Sequence, residues 1–123
     1  MARRAPPADR LPLFVERLAG RAGVLWEEGC LIGGLATEMA LESDDLQHQV
    51  ALLFDQLEAM VARLAEPYVK SLPKSGLRAS AVAQDLLAFI EGTIVLSRAH
   101  RDPGRLRSAL ERYASTLRRL RRR

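Results

Sequence analysis

Residues 43–67, SDDLQHQVALLFDQLEAMVARLAEP, decide the fold. Ser43 can accept a hydrogen bond from an otherwise unpaired N–H at a helix start, and Asp44 and Asp45 suit the positive end of the helix dipole. Behind them Leu46, Val50, Leu53, Leu57, Met60 and Leu64 recur in alternating steps of four and three. That period places them on one side of an α-helix as a heptad-like stripe. Phe54 and Val61 widen the stripe toward a core-facing surface. Pro67 lacks an N–H and clashes with the turn before it, which predicts a kink or stop near Glu66. Tyr68 and Leu72 could carry the face beyond that point.

The flanking sequence repeats the theme. Asp9 is a candidate N-cap for a helix through Leu13, Phe14, Arg17, Leu18 and Arg21, with Pro12 tolerated in its first turn. Gly20 and Gly23 weaken it and predict a break before or around Trp26. Leu31, Leu35 and Met39 fall on one face at helical spacing. Ser71 to Gly76, with Pro73, reads as a loop. Ser80 can cap the next helix, which runs to about His100. Val82, Leu86, Leu87, Phe89, Ile90, Ile94, Val95 and Leu96 cover most of its circumference, which predicts burial on nearly all sides. Ala81, Ala88, Gly92 and Ala99 form a narrow stripe of small side chains along it, which allows another helix to come close. Asp102-Pro103-Gly104 is a turn with Pro near a helix start. Leu106, Leu110, Tyr113, Leu117 and Leu120 then define a last amphipathic helix.

Val, Ile and Thr never alternate in clusters, so the expected fold is all-α, an antiparallel helical bundle. The expected organisation is a disordered lead over 1–8, one helical domain over 9–117 and a basic tail over 118–123. The last two helices, two sticky faces joined by a tight turn, are candidates for a symmetric four-helix dimer interface. The alternative is a monomeric bundle in which those faces pack on the helix of residues 44–66.

Composition narrows the classes of function. The 123 residues are 48 % apolar and 28 % charged, as in a globular domain rather than a disordered chain. The net charge of +4 resides at the ends: without the five arginines at 118, 119, 121, 122 and 123, residues 1–117 carry −1. Such a tail is a solvated terminus, or it attracts an anionic partner in a salt-dependent way. One cysteine excludes an internal disulfide framework and any multi-cysteine metal site. The first residues do not resemble a signal peptide, and no stretch approaches the ~20 apolar residues of a membrane span. A cytoplasmic protein without membrane contact is expected.

Catalytic constellations are not legible. His48 and His100 fall on different helices, with no acidic or His partner at ligand spacing. Glu27 and Glu28 are adjacent and so do not share a helix face. No Walker or dinucleotide loop is present, because the glycines at 29–34 lack both the Lys and the preceding strand. Cys30 has no base near it in sequence and reads as a structural thiol. Leu18 to Val24 imitates the opening of a helix-turn-helix. The recognition helix would then be Leu25 to Gly29, whose paired glutamates are wrong for a phosphate-lined groove. No catalytic residue, metal or cofactor is expected.

The run Gly29-Cys30-Leu31-Ile32-Gly33-Gly34-Leu35-Ala36 needs a separate reason, since each glycine costs a helix about 1 kcal/mol. Its backbone turns sharply, meets another helix closely or lines a cavity. With Glu38, it resembles the Gly-Cys-Leu-(Leu/Ile)-Gly-Asn-Leu-Ala-x-Glu segment in C-terminal domains of TetR-type transcriptional regulators. The likeness continues in order through the capped helix of Ser43 to Glu66, Ile90-Glu91-Gly92-Thr93-Ile94, and Arg101-Asp102-Pro103, spanning roughly residues 10–120. Gly34 departs from the family's Asn, and Pro67 interrupts the long helix. The family's N-terminal helix-turn-helix has no counterpart in these residues, so the resemblance brings DNA recognition only through that absent domain.

The resemblance implies a homodimer and a largely apolar pocket for a small effector. The pocket candidates are Trp26, Cys30, Gly33, Gly34, Phe54, Leu57, Val61, Tyr68 and Phe89, each of which could instead be core. The interface candidates are Ala81, Ala88, Gly92, Val95, Ala99, Leu106, Leu110, Tyr113 and Leu117. The expected function is a ligand-sensing and dimerisation domain. The alternative is a small helical dimer whose arginine tail binds nucleic acid or an acidic partner without sequence preference.

Overall fold

A computed structural model describes residues 5–38 and 42–122. A 3₁₀ turn at Pro7–Asp9 leads into α1 (Arg10–Gly20), α2 (Ala22–Glu28), α3 (Leu31–Glu38), α4 (Asp44–Lys70), α5 (Ala79–Ala99) and α6 (Pro103–Arg121). No strand occurs among the described residues. Helix α1 lies along α6, and α4 lies along α5. Between them Leu11, Val15, Val61, Tyr68, Leu86, Leu106 and Leu110 are fully excluded from solvent. Burial of large apolar side chains at ~1.5–3 kcal/mol each is what holds the helices together.

Capping chemistry sets several boundaries. Ser43 Oγ accepts the Leu46 N–H at 3.2 Å, and Asp102 Oδ1 accepts the Arg105 N–H at 3.3 Å behind Pro103 at the first helical position. Two other expected caps do not form. Helix α5 starts at Ala79 behind Arg78, so Ser80 is already inside it. Asp9 makes no side-chain cap, because its carboxylate is taken by Arg121. The first break falls at Arg21, and a second follows at Gly29. The expected face of Leu31, Leu35 and Met39 lies outside the described side chains.

Pro67 does not stop the long helix at Glu66; α4 continues through it to Lys70. So close to the end, the proline forfeits one backbone hydrogen bond, and the next residue holds the last turn in place. Tyr68 is buried and its hydroxyl donates to the Leu117 carbonyl at 2.7 Å, tying α4 to α6. The buried side of α4 is also rotated from the heptad-like stripe. Val50, Val61, Ala65 and Tyr68 face the core, whereas Leu53 and Met60 are about two-fifths exposed, at 42 % and 39 %.

Helix α5 differs most from expectation. It is not buried on nearly all sides: Ala81, Ala88, Gly92, Val95, Leu96 and Ala99 are all exposed. By length and composition alone it is also apolar enough to cross a membrane, contrary to the sequence reading. A core helix of a globular protein passes the same test, and here α5 packs against α4 and α6.

The arginine-rich end is helix rather than tail. Helix α6 runs through Leu117 to Arg121, where Arg118 pairs with Glu16 and Arg121 with Asp9. Arg119 donates to Thr116 Oγ1 at 3.2 Å. The Pro7–Asp9 turn, partly within the expected disordered lead, is held by the Asp9 pair and packs on α4.

Candidate ligand groove and pairing surface

Gly29 ends α2 with φ +69°, a left-handed conformation that disfavours any side chain. Cys30 then stands before α3, where its Sγ accepts the Gly33 N–H at 3.4 Å and so satisfies one of the helix's open donors. Both glycines also lie under charged side chains from α5. A Cβ on Gly29 would meet the Arg98 guanidinium, and a Cβ on Gly33 would meet the Glu91 carboxylate. Gly34 has open space around it. The left-handed backbone therefore accounts for Gly29, while the crowding at Gly33 comes from the movable end of the Glu91 side chain.

The same residues line a groove of about 950 Å³ between α3, α4 and α5. Cys30, Ala36, Phe54, Ile94, Val95 and Leu96 make its walls apolar. Glu28, Glu38 and Glu91 give it three carboxylates against the one guanidinium of Arg98. Its size suits a drug-sized ligand, for which pockets span roughly 300–1,000 Å³.

The sequence grouped nine residues into one pocket; the structure divides them. Cys30, Gly33, Gly34 and Phe54 line this groove. Tyr68 and Phe89 line a second groove of about 490 Å³ between α5 and α6. There the rings of Phe89 and Tyr113 meet at a tilt of 38°, with centroids 4.8 Å apart, beside Asp85 and Arg112. Burial raises the Tyr113 pKa, with the Asp85 carboxylate adding to it; burial also raises that of Tyr68, with Tyr113 adding to it. Val61 is core. Trp26 packs on the core and its Nε1–H donates to the Ser97 carbonyl at 3.2 Å. Leu57 is half-buried on α4 and borders neither groove.

The interface candidates also separate. Ala81, Ala88, Gly92, Val95 and Ala99 form an exposed ridge along α5, with Val95 61 % exposed. Leu106, Leu110 and Leu117 are buried within their own chain, because α6 spends that stripe against α1 and α5. Tyr113 is half-buried against Phe89. The ridge stands between the two grooves: Gly92 and Val95 border the larger, while Asp85 and Phe89 border the smaller.

Glu91, Arg98 and Asp85 were absent from the sequence-derived candidates. Their signal was available, as charges on an otherwise apolar helix, but which neighbour they meet depends on packing. His48 is exposed on α4, His100 is exposed just past the end of α5, and the Cys30 thiol accepts the Gly33 N–H.

Residues 7–112 match the family of C-terminal domains of LmrA/YxaF-like transcriptional regulators. No curated protein and no solved structure matches the chain.

Proposed function

Because this chain belongs to the LmrA/YxaF-like family of TetR regulator C-terminal domains, we propose that it is the ligand-sensing and dimerisation part of such a regulator. Proteins of this family are transcription regulators rather than enzymes, typically dimeric, and they bind small-molecule effectors and DNA. In our reading the effector is a compact, largely apolar molecule held in the α3–α4–α5 groove. A second copy pairs through α5 and the adjoining edge of α6. Sequence-specific DNA contact belongs to a helix-turn-helix head outside these helices, and the protein works in the cytoplasm. A ligand that binds one arrangement of the dimer better than another shifts the spacing of such heads.

The observation that carries this reading is the α5 ridge. A helix with core-like hydropathy leaves Val95 and Leu96 more than half exposed beside a line of Ala and Gly, which suits close approach by another helix. Light scattering tests it: the protein runs as a dimer, and Gly92→Leu, which puts a bulky side chain on an exposed ridge position, yields monomer. An unchanged dimer removes the seam. Effectors are sought by thermal shift, where a ligand at one hundred times its Kd stabilises the fold by about 2.7 kcal/mol.

The arginine end does not favour the alternative reading, since Arg118 and Arg121 are engaged with Glu16 and Asp9.

A further inference from the structure

Four residues of α5 line the larger groove and are themselves exposed: Gly92, Val95, Leu96 and Arg98. Val95 and Leu96 are 61 % and 53 % exposed, so the groove's α5 wall is a rim that faces solvent rather than a sealed side. Two helices pack with axes about 8–10 Å apart, closer over small residues. Any helix seated on Ala88 and Gly92 therefore overhangs both flanks of the ridge, including the mouth of the groove. We infer that the groove is a composite site: the partner protomer supplies its outer wall, so that an apolar ligand is enclosed only in the dimer.

This rests on the proposed pairing through α5 and assigns it a consequence for the same site. Ligand binding and self-association are then linked. Each strengthens the other by the same factor, because the differential affinity of the ligand for dimer over monomer is the coupling free energy. The charges weigh against an anionic ligand. Glu28, Glu38 and Glu91 outnumber Arg98, and covering them lowers the local dielectric and strengthens their discrimination against an anion.

The chain supplies its own reporter. Cys30 is its one cysteine and lines the groove behind that rim. Alkylation by N-ethylmaleimide is followed across a dilution series spanning the dimer–monomer transition, with light scattering on the same samples. Thiol reactivity depends on exposure, so closure by the partner slows the reaction about tenfold or more in the dimer. Ala88→Asp, which puts a charge on an exposed ridge position, gives the monomer rate at every concentration while retaining its helical circular dichroism. Nile red, a neutral apolar dye, binds the dimer and loses its fluorescence gain on dilution and in Ala88→Asp. A dimer whose Cys30 reacts as fast as the monomer's overturns the composite site and leaves the dimer reading standing. No dimer at any concentration overturns both. The unaltered protein in the dilution series decides the matter even if the variant fails to fold.

Discussion

Removing the Tyr68 hydroxyl should weaken the fold at neutral pH and relieve part of its loss of stability in alkali. The side chain is fully buried, and its O–H donates at 2.7 Å to the Leu117 carbonyl, the one side-chain hydrogen bond found between α4 and α6 among the described residues. Tyr68→Phe keeps the ring and its packing, so the loss is the hydrogen bond alone. A net cost of about 1 kcal/mol is expected, since the Leu117 carbonyl also sits in a helix and is not orphaned outright. For a domain of this size that is a fall in Tm of roughly 3–6 °C. The pH dependence has the opposite sign. Burial raises the phenol's pKa above 10.0 in the folded state. Below that value both states hold the proton and the group is neutral in its effect. Above it the unfolded chain releases the proton first, so stability declines as pH rises through the folded pKa. The chain has two tyrosines, so Tyr113→Phe and the double Phe variant differ only at position 68. Urea midpoints across pH 8–11.5 should show the single variant more stable near neutrality, with the gap closing in alkali. A gap that is constant with pH, or Tyr68→Phe as stable as the parent at pH 7, refutes the anchoring role.

Gly29→Ala and Gly33→Ala should part company in chemical denaturation. At Gly29 the backbone, with φ +69° and ψ −162°, is one that essentially only glycine adopts, so a loss of about 1–3 kcal/mol is expected even if the Arg98 guanidinium moves aside. At Gly33 only the flexible end of Glu91 is in the way, and alanine's better helix propensity, worth up to ~1 kcal/mol, leaves the variant neutral or more stable. Equal losses at both positions would show that strain at Gly29 is unimportant. For the Arg118–Glu16 pair, whose side chains are about one-third exposed, a double-mutant cycle to alanine should give a coupling of about 0.5 kcal/mol that fades in 0.5 M salt. A salt-independent coupling would instead mean that the pair acts through packing.

What was legible in the sequence was local. Ser43 and the acidic pair behind it specify a helix start whatever surrounds them, and the Asp102-Pro103 cap does the same for α6. Helical period and the absence of strand patterns made the all-α fold readable for the same reason: the signal lies within one or two turns. Ser80 and Asp9 misled because a capping residue type is only an opportunity. Asp9 has a stronger partner in Arg121, which is 112 positions away and invisible to any local pattern.

The sequence by itself therefore determined the helical class, the capped starts of α4 and α6 and the family segment at Gly29–Ala36, since each depends on backbone chemistry and short-range spacing. Only the tertiary structure decided which sides of those helices meet. It turned α4 away from its heptad-like stripe, left the small-residue side of α5 uncovered, and divided one expected pocket into two grooves and a core. Apolar stripes do not name their partners, because burial is non-directional and several pairings cover similar area. The arrangement of all the helices selects among them. That selection places Glu91 over Gly33 and Arg98 over Gly29, making a run of glycines the floor of a groove.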